Sequence, residues 1–167
     1  YPRLGKFLLN DDYIMLPYGE LLRNKEFLFN TLGRNAQLFV RPSSPSKTFT
    51  GQTISGYHYD DDVKRLGFYD VEPESLVIVS SPKEIDFEWR MVVVEGSVIA
   101  GSQYKETTLT QIREETPIEV WDFAQEVADA YRVDDAYVID VGLSEGKLKM
   151  IEVNSFSSSG WYLADRH

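Results

Sequence analysis

The first part of the chain alternates apolar and polar positions in the patterns of one helix and two short strands. Residues 19–32 have helical spacing and stop at Gly33, a common helix terminator. The apolar side of this helix would carry Leu21, Leu22, Phe27 and Leu28. Residues 36–40 (AQLFV) and 75–82 (SLVIVSSP) are short apolar runs, which predict strands. A loop rich in Ser, Thr, Gly and Pro follows the first strand at residues 41–56.

The second part of the chain predicts two hairpins with a long helix between them. Residues 87–105 place two apolar stretches around Glu95-Gly96, a dipeptide suited to a tight turn. Residues 116–119 (TPIE) have the pattern of a capping box, with proline at the first helical position. The apolar side of this helix would carry Ile118, Trp121, Ala124, Val127, Ala128 and Tyr131. A second hairpin follows, with its turn centred on Gly146. Antiparallel hairpins with a few packing helices predict an α+β fold.

Three polar residues interrupt the apolar strands of this second hairpin: Asp140, Glu152 and Asn154. Alternation about the predicted turn puts Asp140 directly across from Glu152, with Cβ atoms about 4.5–5.5 Å apart. Asn154, Leu148 and Met150 would share the face of Glu152. Two carboxylates this close repel each other, and a divalent cation between them removes the repulsion. Oxygen ligands from Asp, Glu and Asn suit Mg²⁺, with Mn²⁺ as the second choice. The alternative is an ordinary polar face on a half-exposed hairpin.

The composition narrows the possible chemistry. The 167 residues include 17 Lys and Arg against 27 Asp and Glu, which gives a net charge of −10 and disfavours nucleic acid as a partner. The chain has no cysteine, so disulfides, thiolate metal sites and a cysteine nucleophile are excluded. With only two histidines, a histidine zinc site and a serine–histidine triad are disfavoured. No apolar run approaches the length of a membrane span. The absence of cysteine fits a cytoplasmic protein, which we expect here.

The ordered set of charged residues resembles the ATP-grasp superfamily. In that superfamily an Asp on one strand and Glu-x-Asn on the next hold two Mg²⁺ ions against the ATP phosphates, as Asp140 and "IEVNS" would here. The stretches "LFVRPSSPSKTFTGQ" and "EWRMVVVEGSVIAGSQYK" are similar to one clade, often encoded by phages and bacteria, that is named for a conserved arginine and two lysines. The resemblance implies an ATP-grasp fold of two lobes that close on a nucleotide. Residues 1–82 would supply an N-terminal segment and the small lobe, and residues 83–167 the metal-bearing lobe.

The resemblance also implies a role for each residue of the set. Arg41, Lys47 and Lys105 would be the arginine and the two lysines of the clade, and would offset the charge of the phosphates. Glu88 would bind the ribose. The hinge whose backbone holds the adenine would be formed by Val79, Ser80 and Ser81. Taken singly, these residues are also compatible with solvated surface charges and an ordinary salt bridge.

The activity implied by the resemblance is ATP-dependent ligation of a carboxylate to an amine or thiol through an acylphosphate. Its substrates would be small-molecule or peptide carboxylates and amines, and Arg41, Lys105 and Arg90 would be the catalytic residues. Many ATP-grasp ligases carry arginine two residues before the metal Asp, whereas Val138 stands there in this chain. The chain opens on Tyr1 rather than Met, so we expect a processed or trimmed piece. Only about 35 residues precede the first signature strand, so the N-terminal lobe that the family usually has would be either trimmed or absent.

Two other classes of function remain open at this point. An ATP-binding module that has lost catalysis, with a regulatory or assembly role, would agree with Val138. A nucleotidyltransferase or nucleic-acid ligase that adenylylates a lysine is disfavoured by the net charge and by the absence of a Lys-x-Asp-Gly motif.

Overall fold

The computed structural model describes residues 2–43, 49–66, 71–106, 116–159 and 165–166. By packing, the chain divides into two compact units, Asp12–Pro82 and Tyr1–Asp11 together with Lys83–His167. The division at Pro82 falls where the sequence predicts the end of the small lobe, while the residues before Asp12 pack with the second unit. The assignment of these units to the lobes of a nucleotide grasp stays a prediction.

Among its described residues, the unit Asp12–Pro82 has a four-stranded antiparallel sheet and three helices. Its strands are β1 Tyr13–Pro17, β2 Gln37–Pro42, β3 Gln52–Ser55 and β4 Leu76–Ser80, in the order β1-β4-β2-β3. Its helices are α1 Tyr18–Arg23, α2 Lys25–Leu32 and α3 Tyr59–Leu66. Buried side chains of the helices and strands form one hydrophobic core, which includes Leu21, Leu28, Val63, Leu38 and Val79. Burial of these apolar side chains stabilises the packing of the helices on the sheet.

The predicted helix at residues 19–32 is two helices, separated at Asn24. The Asn24 side chain explains the break, because its Nδ2 donates hydrogen bonds to the Glu20 backbone oxygen and to Glu20 Oε2, both at 2.9 Å. Such local side-chain bonds compete with continuation of a helix. Leu21 and Leu28 are fully buried as predicted, but Leu22 and Phe27 are 47% and 57% exposed. Neighbours in sequence lie about 100° apart around a helix, and in these two adjacent pairs one residue faces the core while the other faces outward.

Strand β2 begins one residue later than the pattern AQLFV suggests. Ala36 and the preceding Asn35 have φ angles of 56° and 51°, which form a left-handed turn rather than extended backbone. The bridge between Arg34 and Gln37 closes this turn. The second predicted strand is confirmed, since β4 lies within residues 75–82 and runs between β1 and β2.

The second unit has a five-stranded antiparallel sheet and one longer helix among its described residues. Its strands are β5 Phe87–Val94, β6 Ser97–Glu106, β7 Ala136–Ser144, β8 Lys147–Ser155 and β9 Asp165–Arg166, in the order β8-β7-β5-β6-β9. Helix α4, Ile118–Ala130, follows β6, and short 3₁₀ turns occupy Pro2–Phe7 and Phe156–Ser158. In the part of the chain that the structure describes, no helix is long and apolar enough to cross a membrane. The mixed helix and antiparallel sheet content confirms the predicted α+β class.

The two hairpins of this unit have tight two-residue turns. Glu95-Gly96 has φ angles of 51° and 85°, and Glu145-Gly146 has 50° and 72°. Positive φ at both central positions is the geometry that matches the twist of the flanking strands, and glycine adopts it without strain. The first turn is confirmed. The second turn lies between Ser144 and Lys147, so it is not centred on Gly146.

The start of α4 differs from the predicted capping box. The helix begins at Ile118 with Pro117 as its N-cap, and no side chain caps it. No described residue hydrogen-bonds Thr116 Oγ1, which lies 3.2 Å from the position that a Cβ on Gly101 would take. The hydroxyl therefore faces the sheet rather than the helix. Ile118 is exposed, and the buried stripe of the helix is Val120, Ala124, Val127 and Ala128.

Candidate functional site

The register of the five-stranded sheet brings the predicted metal residues together on one face. Arg90 on β5 pairs with Asp140 on β7, and Asp140 pairs with Glu152 on β8. Asn154 follows two residues after Glu152, opposite Val138. Side chains at directly opposed positions lie on the same face of a sheet, as do residues two apart on a strand. We call Arg90, Asp140, Glu152 and Asn154 the acidic cluster.

A β-bulge creates the pairing of Asp140 with Glu152. The two-residue turn sets Ser144 opposite Lys147, and this register holds as far as Val141 opposite Met150. Without interruption, Asp140 would face Ile151. The ladder instead shifts by one residue between Asp140 and Val141, which brings Glu152 opposite Asp140.

The predicted pairing of Asp140 with Glu152 is therefore correct. It arises from a bulge rather than from a turn centred on Gly146, and the residues that share the face of Glu152 differ from the prediction. Leu148 and Met150 pair with Leu143 and Val141, so they lie on the opposite face from Glu152. Met150 is buried there with a relative exposure of 3%. The bulge therefore places Leu148 and Met150 on one face of β8 and Glu152 on the other.

A second bulge aligns Glu88 with Lys105. Trp89 pairs with Gln103, and after one extra residue on β6 Glu88 pairs with Lys105. Glu88 lies two residues before Arg90 on β5, so it belongs to the face of the acidic cluster. Its side chain is 9% exposed. The backbone of Lys105 is part of β6, and its side chain lies outside what the structure describes.

Within the acidic cluster, nitrogen donors of two side chains bind the carboxylates. Arg90 Nε and Nη2 donate to Asp140 Oδ1 and Oδ2, each at 2.8 Å, in a two-point ion pair. Asn154 Nδ2 donates to Asp140 Oδ2 at 3.0 Å and to Glu152 Oε1 at 2.8 Å. The predicted repulsion between Asp140 and Glu152 is therefore offset by a guanidinium and a bridging amide. The four side chains of the cluster together, with one guanidinium for two carboxylates, carry a net negative charge.

The donor set of the cluster fits a hard divalent cation. Asp140, Glu152 and Asn154 offer carboxylate and amide oxygens, which Mg²⁺ and Mn²⁺ prefer. A single atom, Asn154 Nδ2, lies within 3.0 Å of both carboxylates, so the three side chains converge on one point. The amide oxygen is available to such a cation after rotation of the amide by half a turn. No group of three His, Cys, Asp or Glu that could hold a metal occurs among the described residues. The metal assignment stays a prediction.

Val138, two residues before Asp140, has apolar surroundings in this chain. Val138 pairs with Val92 and Asn154, and it packs in a small buried cluster with Val92 and Ala100. Arg90 lies on the adjacent strand, two residues before Val92 and therefore next to it on the same face. The resemblance implies a catalytic role for Arg90 but does not indicate its contact with Asp140. Alternation places both residues on polar faces, but nothing in the sequence indicates that β5 lies next to β7.

The remaining predicted residues belong to the other unit, which we describe by itself. Arg41 lies on β2 opposite Ile78, and Lys47 lies outside the described residues. A Cβ on Gly51 would meet Phe39 Cζ at 2.8 Å and Arg41 Cβ at 3.2 Å. Glycine at this position therefore lets the following strand approach the base of Arg41 closely.

The predicted hinge ends strand β4. Val79 faces the hydrophobic core, and the ladders to β1 and β2 both reach Ser80. Ser81 is the first residue beyond these ladders, and its hydroxyl donates a short hydrogen bond to Asp12 Oδ2. Ser80 Oγ is buried without a hydrogen-bond partner among the described residues. The assignment of Val79, Ser80 and Ser81 to an adenine hinge stays a prediction.

The sequence as a whole matches a known family along most of its length. The matching family model is an ATP-grasp domain, family 2 of the clade named for one arginine and two lysines, and it covers residues 25–167. The chain belongs to this family, which confirms the resemblance inferred from its motifs. No curated protein sequence matches the chain significantly.

Solved ATP-grasp enzymes share the fold at low sequence identity. The crystal structure of the D-cycloserine synthetase DcsG matches with a TM-score of 0.66 and 13% identity, over 92% of this chain and 60% of that one. The D-alanine–D-alanine ligase from Bacillus anthracis, complexed with ATP, matches with a TM-score of 0.63 and 18% identity, over 92% and 51%. The ATP-grasp ligase PsnB, complexed with a minimal precursor, Mg and ADP, matches with a TM-score of 0.57 and 16% identity, over 89% and 45%. The chain thus spans about half the length of these enzymes and has the ATP-grasp fold.

Proposed function

We propose that this chain is the nucleotide-binding part of an ATP-dependent ligase that joins a carboxylate to an amine or thiol through an acylphosphate. The observation that carries the proposal is the acidic cluster. In an ATP-grasp domain, Asp140, Glu152 and Asn154 converge on one point of a partly buried sheet face. Their oxygen donors suit an ion that neutralises phosphate charge in transfer of the γ-phosphoryl group.

The chemistry needs alignment and charge neutralisation more than it needs a nucleophile of the protein. A substrate carboxylate oxygen attacks the γ-phosphorus and ADP leaves; an amine then attacks the acyl carbon, loses a proton and displaces phosphate. Arg41, Lys47 and Lys105 would hold phosphate oxygens, and Glu88 would accept hydrogen bonds from the ribose. Asp140, Glu152 and Asn154 would hold Mg²⁺, with Mn²⁺ as a substitute. The lack of cysteine in the chain agrees with a reaction of this kind.

The acidity of the chain and its neighbours of known structure support one class of substrate. A net charge of −10 disfavours nucleic acid as a partner in electrostatic terms. The neighbours include a D-alanine–D-alanine ligase and a ligase complexed with a precursor peptide. We therefore propose amino acids or peptides as the carboxylate and amine partners.

The second candidate is an ATP-binding module without catalysis, and Val138 is the observation in its favour. An apolar cluster occupies the position at which many ATP-grasp ligases carry an arginine. A protein of this kind would bind Mg²⁺ and ATP and release no ADP with any acceptor.

Turnover distinguishes the two candidates. We expect ADP release in the presence of Mg²⁺ and a panel of free amino acids and short peptides, and none in the presence of a chelator. The matched control is the Glu152→Gln variant, in which background ATPase contamination remains but chain-specific ADP release is lost. Nucleotide binding without ADP release across the whole panel would favour the inactive module and contradict the ligase.

A further inference from the structure

The contact between Arg90 and Asp140 affects any ion that binds in the acidic cluster. The guanidinium holds both oxygens of Asp140 at 2.8 Å, and the two side chains are 13% and 1% exposed. Strands β5 and β7 both have neighbours on each side, so the pair sits between central strands of the sheet. A two-point arginine–carboxylate pair in such a setting is among the stronger polar contacts in proteins.

The hydrogen bonds leave little room for an ion at Asp140. Oδ2 accepts from Arg90 Nη2 at 2.8 Å and from Asn154 Nδ2 at 3.0 Å, and Oδ1 accepts from Arg90 Nε at 2.8 Å. A carboxylate oxygen offers about two lone-pair directions, so both directions of Oδ2 are used. A divalent cation that reaches Oδ2 must replace at least one of these N–H groups.

The two donors differ in how easily they can be replaced. The amide of Asn154 needs only a rotation about its last side-chain bond, a torsion with a broad energy profile, to present its oxygen. The guanidinium of Arg90 keeps its charge, is repelled by an adjacent dication and lies in a mostly buried position. A charge displaced at such a position needs a new anionic partner.

We propose that Arg90 competes with the metal ion for Asp140, so that the ion is held firmly only when it arrives together with the nucleotide. The phosphate oxygens then give the displaced guanidinium a second anion, for which its planar fork is well suited. Arg90 is in this sense a positioning residue that couples metal binding to nucleotide binding. The inference rests on the proposed function, because it assumes that the acidic cluster holds the metal of Mg-ATP.

Binding of Mn²⁺ alone, followed by electron paramagnetic resonance, tests this competition without any turnover. Arg90→Met removes the competing charge and keeps most of the side-chain volume, and we expect it to bind Mn²⁺ about tenfold more tightly than the unmodified protein, or better. Arg90→Lys keeps a charge without the two-point geometry, so its affinity should lie between the two. Arg132→Met is the matched control, because Arg132 pairs with Asp135 at 2.6 Å at an exposed position of the same unit. It should bind Mn²⁺ as the unmodified protein does.

Two further arms locate the effect in the cluster. Adding Glu152→Gln to Arg90→Met should remove the gain in Mn²⁺ affinity. The other acidic residues of the surface are unchanged in this double variant, so loss of the gain would locate it in the acidic cluster. A non-hydrolysable ATP analogue should tighten Mn²⁺ binding more in the unmodified protein than in Arg90→Met. Equal Mn²⁺ affinities of Arg90→Met, Arg132→Met and the unmodified protein would overturn the proposal.

A measurement on the unmodified protein covers the case in which Arg90→Met does not fold. The Nε–H resonance of Arg90, assigned by its loss in Arg90→Lys, should stay in place with Mg²⁺ alone and shift when the ATP analogue is added. An equal shift with Mg²⁺ alone would overturn the competition. Failure to bind the Mg²⁺–analogue complex at all would contradict the proposed function, and that result is distinct from unchanged Mn²⁺ affinity in the Arg90 variants.

Discussion

The Asp140→Asn variant is expected to have a free energy of unfolding about 3 kcal/mol lower than that of the unmodified protein. It is also expected to lose metal-dependent nucleotide binding. The substitution leaves the mostly buried guanidinium of Arg90 without its carboxylate partner, and a lost partner in a buried ion pair is costly. The same change deletes one of the two carboxylates proposed to hold Mg²⁺. Urea denaturation followed by circular dichroism measures the first effect, and nucleotide titration with Mg²⁺ measures the second.

The exposed ion pair of the same unit supplies the control for this stability effect. Asp135→Asn removes the partner of Arg132, and a solvent-exposed pair of this kind is worth at most about 1 kcal/mol. The double variant Arg90→Met/Asp140→Asn no longer contains the guanidinium that lost Asp140, so part of the lost stability should return. If Asp140→Asn costs no more than Asp135→Asn, the ion pair of Arg90 with Asp140 does not contribute to stability and the description of the cluster is wrong.

The Glu152→Gln variant is expected to keep its stability and to lose the stabilisation by Mg²⁺ and ATP. Glutamine retains an oxygen that can accept the hydrogen bond from Asn154 Nδ2, so the protein alone should melt at nearly the same temperature. Removal of one charge weakens the proposed metal site. A ligand at 100 times its dissociation constant adds about 2.7 kcal/mol of stability, and the variant should lose most of this gain. Thermal melts with and without Mg-ATP give both numbers.

A neutralised surface carboxylate is the control for Glu152→Gln. Glu119 is exposed in the first turn of α4, and Glu119→Gln should keep the full ligand effect. A Glu152→Gln variant that melts at a lower temperature on its own, yet keeps the whole shift with Mg-ATP, would show Glu152 to be a structural hydrogen-bonding residue.

The sequence predicts the correct pairing of Asp140 with Glu152, but only because two errors in the predicted register cancel. Alternation about a turn at Gly146 gives Asp140 opposite Glu152, but the actual turn is one register position away and the bulge before Glu152 restores the pairing. The bulge beside Lys105 aligns that residue with Glu88 in the same way. A bulge adds one residue without a reliable composition signal, so the faces assigned to Leu148 and Met150 were wrong.

The contact of Arg90 with Asp140 could not be predicted, because the sequence does not indicate the order of the strands in the sheet. Its role depends on β5 and β7 being neighbours, although the helix α4 and many other residues separate them along the chain. Short-range patterns predict hairpins such as β5–β6 and β7–β8, because a two-residue turn fixes which strands meet. The contact between two hairpins has no such local signal, and it decides which charge neutralises Asp140.

Local competition by polar side chains explains the errors in the helices. Asn24 hydrogen-bonds Glu20 and ends α1, and the hydroxyl of Thr116 faces the sheet instead of capping α4. For Asn24 the alternative is a local side-chain hydrogen bond, and for Thr116 it is a position against strand β6; a propensity argument includes neither. The apolar periodicity itself was informative, since Leu21, Leu28, Ala124 and Val127 are buried as predicted.

The central claim is that the acidic cluster binds a metal ion together with ATP, and calorimetric titration of a non-hydrolysable ATP analogue tests it most directly. The titration is run on the unmodified protein twice, once with Mg²⁺ and once with excess chelator. We expect saturable one-site binding with Mg²⁺ and an affinity at least tenfold weaker in the chelator, since about 1.4 kcal/mol of binding free energy is a modest share for an ion that neutralises phosphate charge. Equal affinity in the two titrations would contradict the claim that Asp140, Glu152 and Asn154 form the metal site of a nucleotide-binding domain.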